Sequence, residues 1–177
     1  KPLVGILMGS ASDKPAVEEA AKALEDLGVA CEMRILSAHR TPDEVHEYVR
    51  EAPGRGIRVL IAGAGMAAHL AGVVSAATDL PVIGVPMDSS SLDGLDALLS
   101  TVQMPPGIPV ASMGIGSPGA RNAGLFAARI LALSDSSLTK RYRQFAENQR
   151  KKVLSADKAL QKERSGRKTP SKRSSRK

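Results

Sequence analysis

The sequence predicts a single doubly wound α/β domain built on a parallel five-stranded sheet. Two observations carry that expectation. Short apolar runs recur at 3–8, 29–36, 58–62, 82–85 and 110–113. Between them lie longer segments with apolar residues at helical spacing, each long enough for a crossover connection. Parallel strands require such crossovers, which cover both faces of the sheet with helices. A last helix, expected at about 135–161, has no strand after it.

Composition sets the limits. A chain of 177 residues suits one domain with a sizeable core. Apolar residues make up 42% but aromatics only 2%, with no Trp, so the core is built from Ala, Val, Leu, Ile and Met. A lone Cys31 excludes an internal disulfide framework and a cysteine metal cluster. His39, His46 and His69 lack metal-ligand spacing, so no metal is expected. A Gly-x-Ser-x-Gly elbow is absent. No apolar run is long enough to span a bilayer and no basic-then-apolar leader is seen, so the expected setting is cytoplasmic. The net charge of +7 sits in one place: residues 164–177 hold seven Lys/Arg and no acid, leaving 18 basic and 18 acidic residues in 1–163. That basic tail is expected to be disordered, outside a catalytic domain of 1–163. Nucleic-acid contact by the tail is the lesser reading.

The elements follow in order. The first strand breaks into Gly9-Ser10-Ala11-Ser12-Asp13, then Val17, Ala20, Ala21, Leu24 and Leu27 mark a helix face stopped by Gly28. Ser12 or Asp13 is expected to cap that helix. Hydroxyls and backbone N–H groups at a helix N-terminus also suit a phosphate, and capping alone explains them equally well. The second strand enters Ser37-Ala38-His39-Arg40-Thr41-Pro42-Asp43. Thr41 as N-cap, Pro42 at the first helical position and Glu44 three residues on predict a capping box. His39 and Arg40 then lie at the C-terminal edge of the sheet, where open α/β sheets bind ligands. An imidazole that titrates near neutral pH beside a fixed cation suggests acid/base work on an anionic substrate. The bland alternative, a stacked His39 and a salt-bridged Arg40, loses ground because two other polar, glycine-bearing loops occupy equivalent places.

Val45, Tyr48, Val49 and Ala52 form the next helix face, with His46 off it and given no role. The third strand runs into Gly63-Ala64-Gly65-Met66-Ala67-Ala68-His69. Together with Asp88 this matches a dinucleotide fingerprint, but on the third strand instead of the first, so a nicotinamide enzyme is the rival reading. Gly114-x-Gly116-x-x-Gly119 also follows a strand, without an acidic strand end after it and with Pro118 inside. The fourth strand leads to a polar loop at 88–91 and a helix with Leu92, Leu95, Leu98, Leu99 and Val102. The helix at 118–133 is apolar nearly all round and is expected to be well buried. Leu138, Tyr142, Phe145, Val153 and Leu160 form a stripe on the last helix, which should pack on the body or on a neighbouring subunit.

The loops 9–13 and 37–43, the run 62–70, Leu80-Pro81-Val82-Ile83-Gly84-Val85-Pro86, Ser100-Thr101-Val102-Gln103-Met104-Pro105 and the stretch 119–123 closely resemble class I of the PurE family in order and spacing. That resemblance implies a flavodoxin-like three-layer α/β/α sandwich, a homo-octamer, aminoimidazole ribonucleotide substrates, and neither metal nor organic cofactor. It implies the mutase reaction of purine biosynthesis, from N5-carboxyaminoimidazole ribonucleotide to 4-carboxy-5-aminoimidazole ribonucleotide, by decarboxylation and recarboxylation. The position of His39 is then the general acid/base. Ser10, Ser12 and Arg40 would hold the 5′-phosphate with Ser37 nearby, and Asp13 would accept from the ribose hydroxyls. Gly65 would admit backbone close to the base and the CO2, with His69 lining the pocket. Arg40 matches the mutase class, whereas the class that carboxylates aminoimidazole ribonucleotide directly with free CO2 has Lys there. Met66 stands where many members have Gly, Ala71 where many have Pro, and Lys14 where Trp is common. Direct carboxylation and a non-catalytic nucleotide-binding module are the alternatives.

Overall fold

A computed structural model describes residues 1–166. Five parallel strands, β1 (Val4–Met8), β2 (Cys31–Ile35), β3 (Val59–Ala64), β4 (Val82–Pro86) and β5 (Ala111–Ser112), form one sheet in the order β2-β1-β3-β4-β5. That is the flavodoxin-like order, with its topological switch between β1 and β3. The register pairs Val4 with Cys31 on one side and with Val59 on the other. β1 and β4 are buried along their whole length, as unbroken apolar strands of a parallel sheet should be.

Helices cover both faces. On one face Ile6, Met8, Ile61 and Val85 meet α1 (Lys14–Asp26), α5 (Gly116–Ala132) and Leu138. On the other, Leu7, Leu60 and Ala62 meet α2 (Pro42–Arg55) and α3 (Leu70–Ala76). Thr101 of α4 (Leu95–Val102) and Ala71 both press on Gly84 of β4 from that second side. The helix pair α1 and α5 packs very closely. A Cβ at Gly124 would overlap the carbonyl oxygen of Ala20, so only glycine permits this approach. Tyr48 pins α2 to the sheet: its hydroxyl donates to Glu32 at 2.8 Å, and Arg55 pairs with the same carboxylate at 2.8 Å.

Several local expectations are corrected. Thr41 makes no side-chain cap. Its N–H is taken by Ser37 O at 2.9 Å, which leaves nothing for Glu44 to bond, and its hydroxyl accepts from Ser37 N–H at 2.8 Å. The capping box is replaced by a closed turn of Ser37–Thr41. Asp13 holds the N-cap position of α1 without a side-chain capping bond to that helix, while Ser10 caps a preceding 3-10 turn, Ala11–Asp13. Helix α4 starts at Leu95, after Leu92, because Asp93 and Gly94 both adopt left-handed backbone. Helix α5 buries one face, of Gly and Ala residues, and leaves Asn122, Phe126 and Arg129 exposed.

The last helix, α6 (Ser136–Gly166), runs five residues past its expected end. Leu138, Tyr142 and Phe145 pack on the body, but every residue from 148 to 165 is exposed, Val153 and Leu160 included. Of the basic tail, 164–166 continue this helix and 167–177 lie outside the described residues.

Candidate active site

The loops after β1, β2 and β3 converge at the C-terminal edge of the sheet, at its switch point. They enclose an open cavity of about 500 Å³. All eight residues expected from the sequence line it: Ser10, Ser12, Asp13, Ser37, His39, Arg40, Gly65 and His69. His46 is not among them.

Arg40 ties two loops together. Its Nη2 donates to the carbonyl of Gly9 at 2.7 Å and its Nε to Ser37 Oγ at 3.4 Å. The remaining N–H groups of an exposed guanidinium stay available to an anion. Ser12 Oγ donates to Ser10 Oγ at 2.8 Å, and Ser10 Oγ also accepts from Ser12 N–H at 3.3 Å. Two hydroxyls and a guanidinium therefore share one corner of the cavity. Asp13 is buried beside them. Burial pushes its carboxyl above the ordinary range, opposed by a backbone hydrogen bond from Ser10 and by the Arg40 charge.

The two histidines of the cavity meet each other. His39 Nε2 lies 2.8 Å from His69 Nδ1, with the rings nearly perpendicular at 87°. One proton must occupy that contact, so the two rings cannot change tautomer independently. Both side chains are exposed, with the second nitrogen of each ring outside this bond. Such a pair can act as a two-ring relay at the cavity wall, within reach of a bound molecule.

The third loop is held from outside the sequence motif. A Cβ at Gly65 would overlap Ser89 Oγ, so the loop lies flush against the segment after β4. Ser100 of α4 accepts from Ala68 N–H at 3.0 Å. Ser89, Met66 and Ser100 were not singled out as site residues from the sequence, although the polar loop at 88–91 was visible there as a fourth strand-end loop. Among the described residues, no three His, Cys, Asp or Glu side chains are grouped as a metal ion would need. No described helix is long and apolar enough to cross a membrane.

Comparison with known proteins agrees with this geometry. The AIR carboxylase family model matches residues 3–152. An N5-carboxyaminoimidazole ribonucleotide mutase of Pyrococcus abyssi is 55% identical over 150 residues, 85% of each chain. One from Bacillus subtilis is 51% identical over 160 residues, 90% of this chain and 99% of that protein. Among solved structures, Treponema denticola PurE superposes with a TM-score of 0.82 at 33% identity, covering 90% of this chain and 99% of that one. With matches of this length and identity, the chain belongs to the PurE, or AIR carboxylase, family.

Proposed function

We propose that this chain is an N5-carboxyaminoimidazole ribonucleotide mutase of purine biosynthesis, acting in the cytoplasm. The observation that carries the reading is the His39–His69 contact of 2.8 Å in a cavity that Ser10, Ser12 and Arg40 also line. A ribonucleotide needs both ends: an anion seat for the phosphate and a proton-handling group at the base.

In this reading Arg40, Ser10 and Ser12 bind the 5′-phosphate, with Ser37 orienting Arg40. Asp13 accepts from the ribose hydroxyls. His39 gives a proton to the exocyclic nitrogen as its bond to the carboxylate carbon breaks and CO2 leaves. The imidazole C4 then attacks the CO2, and His39 takes up the proton that C4 loses. The proton count closes over the cycle, so neither net acid nor an energy donor is consumed. His69 holds the second end of the relay and fixes which nitrogen of His39 faces substrate.

The same reading makes residues 1–163 the catalytic unit and 164–177 an appendage. It also makes the working form a homo-octamer. Support comes from an apolar face of α4 that the described residues leave half exposed and from the outer half of α6 standing clear of the body. The test is an ATP-free assay with N5-carboxyaminoimidazole ribonucleotide in one arm and aminoimidazole ribonucleotide plus bicarbonate in the other. Fast formation of the C4-carboxylated product in the first arm alone is expected. Fast turnover in the second arm alone would make the enzyme a direct carboxylase, and silence in both would end the catalytic reading.

A further inference from the structure

Met66 has no role in the chemistry described above, yet its placement is costly. It is one of two non-glycine residues with left-handed backbone among the described residues, at φ 56°. An ordinary side chain loses roughly 1–2 kcal/mol in that conformation. The surroundings impose it. Gly65 is wedged against Ser89 on one side, and Ala68 N–H is held by Ser100 at 3.0 Å on the other. His69 N–H closes a further bond to Ala67 O at 2.8 Å. The side chain so presented lines the cavity while remaining 63% exposed.

The cavity has few apolar groups that could move. Ala38, Ala64 and Ala67 reach no further than Cβ, and Leu70 is only 2% exposed. Met66 alone combines a long apolar side chain with freedom to swing. A thioether on three rotatable bonds adapts to an irregular surface and packs well on a flat heteroaromatic ring.

We infer that Met66 folds over the bound imidazole and closes the cavity, so that it determines how much CO2 is recaptured at C4 and how much escapes. This rests on the mutase reading. In that reaction the N–C bond breaks, the electron pair stays on the exocyclic nitrogen, and a neutral CO2 is left bonded to nothing. No charge can hold it firmly, so van der Waals walls must retain it until C4 attacks. An apolar side chain held over the cavity mouth supplies the missing wall.

The experiment follows the carboxyl carbon. N5-carboxyaminoimidazole ribonucleotide labelled there is given to the full chain in unlabelled bicarbonate buffer. The label kept in the product and the aminoimidazole ribonucleotide released are counted per molecule consumed, after subtracting uncatalysed decay. The parent should keep most of its label. Met66→Gly, which suits left-handed backbone and should fold at least as well, should release about fivefold more decarboxylated nucleotide per molecule consumed. Met66→Leu should restore most of the retention. Label kept equally by Met66→Gly and the parent overturns the inference while leaving the mutase reading intact. A parent that consumes no substrate overturns both.

Discussion

His39 and Asp13 put the chemistry of this site to the test one side chain at a time. His39→Asn keeps a polar group of similar reach but cannot shuttle a proton. Turnover should fall by roughly 10³-fold or more, while affinity for aminoimidazole ribonucleotide measured by calorimetry stays close to that of the parent. Lost binding with turnover preserved in the remaining complex would remove His39 from the proton path. Asp13 makes a prediction about stability. Burial raises its folded pKa above the unfolded value near 3.8, so the folded chain holds this proton more tightly than the unfolded one. Charging Asp13 therefore costs stability. The cost is fully present above the raised folded pKa and disappears as pH falls below the ordinary value. Asp13→Asn should show a neutral-pH Tm equal to or above the parent's and a flatter Tm profile through that acid window, together with a higher KM. A clear drop in Tm at neutral pH would mean that Ser10 and Arg40 outweigh the burial. At this scale the sequence was highly informative: all eight expected residues line one cavity. Met66 stood out only as a departure from the family pattern, and Ser89 and Ser100 were given no place in the site, because their contacts join segments distant in sequence, which no local pattern records.

Among the elements, the pair α1 and α5 is the most sensitive to substitution. Gly124 lies on the Ala20 carbonyl with no room for another carbon. Gly124→Val should cost about 2 kcal/mol or more by forcing the helices apart, read as a fall in urea midpoint. An unchanged midpoint would show that the helices separate freely, contrary to the packing described. Because α1 starts directly after the Ser10–Asp13 turn that lines the cavity and α5 does not touch the cavity, the same variant should also raise KM through a shifted Ser10–Asp13 turn. The alternation of strands and helices was legible from apolar periodicity alone, and the aliphatic make-up of the core was legible from composition. Helix ends were not. Thr41 satisfied every local rule for a capping box, yet the Ser37 carbonyl captured its N–H first. Leu92 has helical spacing with Leu95 and Leu99, but two left-handed residues at 93 and 94 place it outside α4.

The whole molecule leaves a large apolar surface unused. Leu95, Leu99 and Val102 share one face of α4, Leu92 lies just before the helix, and each is at least half exposed. A lone exposed Leu is ordinary; three on one helix face, with a fourth just before the helix, suit an association surface. Leu95→Gln with Leu99→Gln should convert the proposed octamer to smaller species in sedimentation, with the fold of each copy intact by circular dichroism. An unchanged sedimentation coefficient would move the contact elsewhere. Association was the least legible level, since periodicity reports which side of a helix is apolar and not whether its own chain covers it. The two ends of the sheet add a last consequence. One edge is β5, only two residues long, and the other is β2, which carries Glu32 and Arg34. A short or charged edge is a poor template for strand addition from a second molecule. The chain is thereby guarded against edge-to-edge strand pairing with a second copy, which leaves helix faces as the surfaces through which copies would meet.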